Sequence, residues 1–129
     1  MPRKRAFISF DFDHDDDLRI MLAGQAKLPD TPFDFTDRSL KEPLSGDWQS
    51  KIRSRIANTD ITIVICGEWT HTADGVADEL TITRELGNPY FLLNGRANKT
   101  CMRPQSALAS DKVYDWTWHN LKALIGGAR

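Results

Sequence analysis

Cysteine is scarce in this chain. There are two, Cys66 and Cys101, in 129 residues, too few for a disulfide framework. Long apolar runs are missing as well. No stretch approaches the roughly 18 residues that a membrane-spanning helix needs, and the start carries no charged-apolar-small leader pattern. These absences together point to a reducing, cytoplasmic setting and argue against a membrane partner. There is also no excess of one charge. Seventeen basic residues face eighteen acidic ones, for a net charge of -1, which leaves no broad basic footprint for nucleic acid. The one dense basic run, Arg3-Lys4-Arg5, precedes a strand and reads as a solvated lead-in.

Several chemical signatures are absent too. The chain has no G-x-S-x-G elbow, no phosphate-binding lysine loop and no H-E-x-x-H pair. Cys66, His71 and Cys101 lack the spacing of metal ligands, so no metal or resident cofactor is expected.

The hydrophobic share of 40% and charged share of 27% are those of an ordinary globular domain. The length suits a single domain over residues 1–129. Ala6–Phe10 is short, apolar and rich in strand formers. An acidic loop, Asp11–Asp17, follows, and Leu18, Met21 and Leu22 then recur at helical spacing to about Lys27. Phe33-Asp34-Phe35 alternates as a short strand near an edge. Thr36–Gly46 is a long polar loop, and Ser45 or Asp47 can cap the helix that carries Trp48, Ile52 and Ile56 on one face. Ile61–Cys66 is an unbroken apolar and β-branched run, the pattern of a central parallel strand buried on both faces. A polar loop, Gly67–Asp74, leads to a helix from about Gly75 to Leu86, stopped by Gly87-Asn88-Pro89. Tyr90–Leu93 is a buried strand, residues 94–112 are irregular, and Val113-Tyr114 is a short last strand. Trp116, Leu121 and Leu124 mark the closing helix.

Strands alternating with helices imply parallel pairing and right-handed crossovers. About five strands predict a flavodoxin-like α/β fold, a doubly wound and mainly parallel five-stranded sheet flanked by helices. Ligands in such folds bind beyond the carboxyl ends of the strands. Those ends hold Asp11-Phe12-Asp13, Thr36-Asp37 and Gly67-Glu68. A flavin phosphate would be repelled by Asp11–Asp17. A phospho-acceptor receiver would need an aspartate ending the central strand, where the chain reads Cys66-Gly67-Glu68. The acidic residues could hold a divalent ion, or simply form a solvated loop and helix start.

Glu79 is the remaining candidate. Val76 and Leu80 share the buried stripe of their helix, and Glu79 falls about 60° to one side of Val76. That places its carboxylate at the seam between core and solvent, overlooking the cleft.

The segments Phe7–Asp13, Lys41-Glu42-Pro43, Ile61–Thr72 and Val76–Leu80, in this order, resemble the TIR-like family typified by the Thoeris antiphage protein ThsB. The stretch from Cys66 through Thr70-His71 to Glu79 is the most specific part. The resemblance implies a TIR-like, flavodoxin-like fold and action on NAD+ as a substrate. The nicotinamide–ribose bond would be cleaved to give ADP-ribose or a cyclic ADP-ribose signal. It further implies antiphage signalling through a signal-activated effector protein, and assembly as a homo-oligomer. Glu79 matches the catalytic glutamate, and Thr36–Gly46 matches the loop that helps build the site and its assembly contacts. Phe10, Asp11, Phe12, Asp37, Ser45, Trp48, Glu68 and His71 are the substrate-binding candidates around it. Phe10 and Trp48 suit core packing as well, and His71 can bind a phosphate or ribose or bond within its own loop. Family members often carry an aromatic residue where this chain has Gly75-Val76. That departure keeps open a non-catalytic nucleotide- or protein-interaction module.

Overall fold

The computed structural model describes residues 4–29, 31, 33–35 and 48–127. Five strands form one sheet: β1 (Lys4–Ser9), β2 (Phe33–Phe35), β3 (Ile61–Cys66), β4 (Tyr90–Asn94) and β5 (Val113–Asp115). Four α-helices join them: α1 (Phe12–Ala26), α2 (Trp48–Ala57), α3 (Asp74–Glu85) and α4 (Trp118–Ile125). The strand order is β2-β1-β3-β4-β5, and every pairing is parallel. This is the flavodoxin-like, doubly wound arrangement expected from the strand–helix alternation.

All six residues of β3 are buried, as a strand covered by helices on both faces must be. Alternation along β1 assigns its side chains to opposite layers. Ala6, Ile8 and Phe10 join Leu18 and Leu22 of α1 and Leu121 and Leu124 of α4 in one core. Phe7 points the other way, to Ile52 and Ile56 of α2 and Ile82 of α3. Val64, Cys66 and Leu92 meet Val76 and Leu80 of α3 in the same layer. The helix after β1 and the helix after β3 therefore lie on opposite faces, and the gap between β1 and β3 is the switch point of the sheet.

Three boundaries differ from the sequence reading. The acidic stretch is not a loop before a helix at Leu18, because α1 already begins at Phe12. Asp11 caps it by accepting a hydrogen bond from the Asp13 amide at 3.0 Å, so the aspartates occupy the end of a helix where negative charge is favoured. The helix is kinked at Asp15, whose φ and ψ are -123° and 19°. Lys4 and Arg5 belong to β1 itself, and Lys4 Nζ reaches the Ile125 carbonyl at 2.6 Å. The closing helix starts at Trp118 behind a Thr117 cap, with the Thr117 side chain accepting from the Asn120 amide. The expected stop after α3 is present: Gly87 takes φ +73°, a conformation that glycine adopts without steric cost.

Gly95 follows β4, and its Cα sits against the interior. A Cβ there would lie 2.5 Å from Leu18 Cδ1, 2.9 Å from Ile65 Cγ2 and 3.1 Å from the Cys66 carbonyl oxygen. Two of these three atoms cannot easily move away. Gly95→Ala is expected to lower stability by about 1–3 kcal/mol through overpacking, measured as a fall in the urea midpoint at unchanged m-value.

Candidate functional site

Ser9 ends β1 on the same side as Phe7, facing the α2–α3 layer. Its hydroxyl donates a 2.6 Å hydrogen bond to Glu79 Oε1. Ser9 is 0% exposed and Glu79 is 6% exposed. The carboxyl is thus not at a solvent seam, as helical periodicity alone suggested. It is turned inward, because the serine hydroxyl offers a partner that lets a polar group enter the interior. Burial pushes the Glu79 pKa up to about 8, the Ser9 hydrogen bond opposes the rise, and the charge of Asp78 adds to it. The backbone below is tied down as well. Thr83 Oγ1 donates to the Glu79 carbonyl at 2.8 Å and lies 3.1 Å from Thr62 Oγ1 of β3.

On the other side of the switch point lies the start of α1. The Asp11 carboxyl is buried and contacts His14 Nδ1 at 2.6 Å. The His14 ring stacks on Trp69, with centroids 5.7 Å apart and 30° between planes. Trp69 stacks in turn with His71, at 6.4 Å and 18°. Trp69 precedes a short 3-10 helix, Thr70–Thr72, in the loop after β3. This loop is held by Thr70, whose Oγ1 accepts from the Gly67 amide at 2.7 Å. Glu68 occupies the turn, half-buried.

A polar anchor joins α1 to the loop after β4. Arg96 donates through Nη2 to Asp15 Oδ1 at 3.2 Å, to Asp17 Oδ1 at 2.8 Å and to the His14 carbonyl at 3.0 Å. Asp15 is 1% exposed. Burial raises its pKa against the lowering effect of Arg96, while Arg96 holds the exposed Asp17 below the usual carboxylate range. Asp15 also packs on Gly67, where a Cβ would fall 2.2 Å from Oδ2.

Of the sequence candidates, Glu79, Asp11, Glu68 and His71 surround the carboxyl ends of β1 and β3. The Phe10 ring is committed to the core beneath α1, with the Arg19 guanidinium 5.9 Å from its centroid. Phe12 opens α1 and Trp48 opens α2. Asp37, Ser45 and the rest of the Thr36–Gly46 loop lie outside the described residues. Ser9, Trp69 and Arg96 were not singled out from sequence. Ser9 carried a signal, being a hydroxyl in the inward-facing row that starts with Phe7. Arg96 carried none, since its partners are about eighty residues away. Cys66 is buried at the end of β3 and burial pushes its thiol pKa far up. Among the described residues no three His, Cys, Asp or Glu side chains converge as a metal ion would require.

A cavity of about 640 Å³ opens at the amino end of β4 beside Tyr90, Asp111 and Lys112. It is remote in the sheet from Ser9 and Glu79, which sit at the carboxyl ends.

The family model for the TIR-like domain of the Thoeris protein ThsB matches residues 7–100. The chain belongs to this family. It is a defence-related TIR-like domain, and the match spans β1 through β4, with Ser9, the Trp69 loop and Glu79 inside it. No curated protein matches the chain. No described helix of this TIR-like domain is long and apolar enough to cross a membrane.

The raised pKa of Glu79 has a consequence for stability. The unfolded chain releases this proton near 4.5, and the folded chain keeps it to about 8. Stability is therefore fully present below about 4.5 and is lost progressively as pH rises through 8. Glu79→Gln removes the proton and its penalty. The variant should match the parent near pH 4 and exceed it by on the order of a few kcal/mol at pH 8–9, since one pKa unit is about 1.4 kcal/mol. Urea unfolding across this range measures the difference.

Proposed function

We propose that this TIR-like domain cleaves the bond between nicotinamide and ribose in NAD+, with Glu79 as the catalytic carboxylate. One observation carries the proposal: a buried carboxyl, hydrogen-bonded to the Ser9 hydroxyl at 2.6 Å, stands at the carboxyl ends of adjacent parallel strands. In an open α/β sheet that is where ligands bind.

The chemistry suits one carboxylate. As the C1′–N bond breaks, its electron pair neutralises the nicotinamide nitrogen, and the ribose becomes oxocarbenium-like. Nicotinamide leaves as a neutral molecule, so no general acid is needed. A preorganised carboxylate can hold the ribose hydroxyls and stabilise the growing positive charge. Water adding at C1′ gives ADP-ribose and a proton. Attack by an adenine nitrogen of the same molecule instead gives a cyclic product, which exclusion of water favours. Self-assembly and a signal-activated effector protein belong to the same proposal.

Ionisation of Glu79 is then part of the cycle. With a pKa of about 8, the free protein holds it mainly as the neutral acid at pH 7. A cationic nicotinamide ring entering beside it favours the charged form. The burial penalty is thereby offset by the one substrate feature that the reaction consumes.

A second reading, a nucleotide- or protein-binding module without turnover, draws support from Gly75. A Cβ at Gly75 would meet open space, where family members often place an aromatic ring.

Purified protein at high concentration should release nicotinamide from NAD+, and Glu79→Gln should lower the rate at least 100-fold, within the range assigned to a single electrostatic group. Turnover retained in that variant would reject Glu79. Absence of nicotinamide release from the parent under every assembly condition would favour the binding module. Mass spectrometry of the product separates linear from cyclic ADP-ribose.

The pH profile supplies an independent check. kcat/KM reports the free protein's ionisations, so it should rise with pH to a plateau above about 8. Ser9→Ala should move that inflection upward, because the serine hydrogen bond holds the pKa down. An inflection that stays in place would separate Ser9 from the working carboxyl.

A further inference from the structure

Trp69 is 51% exposed, unusual for the largest apolar side chain. Its surroundings are not those of a stray surface residue. The loop that carries it is pinned by the Gly67–Thr70 hydrogen bond at 2.7 Å and by the Thr72 amide and hydroxyl, which donate to the Trp69 carbonyl at 2.9 and 2.7 Å. The indole lies near-parallel to two imidazoles, His14 from α1 and His71 from its own loop. His14 is fixed from behind by the buried Asp11 carboxyl at 2.6 Å and by Arg96 on its carbonyl at 3.0 Å. The Asp11 carboxyl thus both caps α1 and orients a half-exposed ring. The His71 Nδ1 is buried with no hydrogen-bond partner among the described residues, so contact with Trp69, rather than a polar bond at that nitrogen, accompanies its placement.

The three rings join the two elements that flank the switch point. His14 stands in the first turns of α1, and Trp69 and His71 lie between β3 and α3. Ser9 and Glu79 stand at the same ends of β1 and β3, on the α3 side. A ribosyl compound whose C1′ approaches Glu79 must place a planar heterocycle next to that ribose. Ring stacking on a half-exposed indole is tolerant of the heterocycle's identity and is worth a substantial share of affinity.

We infer that Trp69, set by His14 and His71, is the stacking surface for a heterocycle of the dinucleotide. The inference rests on the proposed action at the ribose and adds a recognition residue to it. Trp69 contributes through ground-state binding, so its loss raises KM while leaving kcat nearly unchanged. His14 and Asp11 act through Trp69 as positioning residues.

The test compares Trp69→Ala, Trp69→Phe and Glu79→Gln in the full chain. Kinetics with NAD+ are paired with calorimetric titration of the parent and variants by AMP and by nicotinamide mononucleotide. Trp69→Ala should raise KM roughly tenfold or more, in line with the loss of one base–aromatic stack, with kcat within about twofold. Trp69→Phe should recover most of the loss. Whichever mononucleotide loses affinity in Trp69→Ala identifies the stacked ring. Unchanged KM and unchanged titrations in Trp69→Ala, alongside inactivation by Glu79→Gln, would overturn the stacking surface and leave the catalytic proposal standing. Mononucleotide binding that depends on Trp69, without any NAD+ turnover, would support the stacking surface and remove the catalytic role. Absence of binding by NAD+ and both mononucleotides in the parent would overturn both.

Discussion

A strand apolar on both faces cannot be stable as part of a two-layer protein. It requires a helix layer above and another below, and Ile61–Cys66 imposes that requirement here. All six side chains are buried, so α1 and α4 must cover one face and α2 and α3 the other. Because β1 lies beside β3 while their following helices diverge, a crevice opens between them. The location of the candidate site follows from this one burial constraint, before any polar side chain is considered.

The crevice then selects what can stand in it. On the α3 side the inward row of β1 would continue as apolar core, but Ser9 interrupts it with a hydroxyl. That hydroxyl makes an interior position available to Glu79, and the carboxyl accepts burial with its proton retained to about 8. On the α1 side, Asp11, His14 and Arg96 link helix, ring stack and the loop after β4. Two polar systems of different character therefore stand at the same strand ends, one on each side of the sheet. One is a single acid with a single partner, and the other is a charge-paired lattice that positions aromatic rings. The first is an acid whose proton is held by burial, and the second ties α1 to the loops after β3 and β4.

The fold was largely legible from periodicity. Continuous apolar runs marked β3 and β4, alternation marked the edge strand Phe33–Phe35, and Gly87-Asn88-Pro89 marked the end of α3. The errors came where local composition competes with capping. Seven residues rich in aspartate look like loop, yet Asp11 is a cap and the following acids suit a helix N-terminus, so α1 begins six residues earlier than Leu18. Glu79 stood out as a candidate from its place in the motif, but its burial was not legible there. A position 60° from the buried stripe is exposed or enclosed according to what the facing strand presents, and Ser9 lies seventy residues away. Arg96 and its aspartates were hidden for the same reason, since pairs of such separation leave no periodic trace. Trp69 was passed over because a loop aromatic has no stripe to join.

The all-parallel sheet also governs how the domain comes into being. No strand pair here can close through a tight turn, since parallel neighbours require a crossover. The pairing that brings Ser9 level with Val64 spans β2, α2 and the intervening chain. Such non-local contacts carry their loop-closure cost before they return any stabilisation, which slows folding relative to helical domains of similar size. Ser9 and Glu79 are joined only after β1 and β3 align and α3 docks on them. The buried acid consequently depends on long-range pairing, since its serine partner lies seventy residues away in the chain.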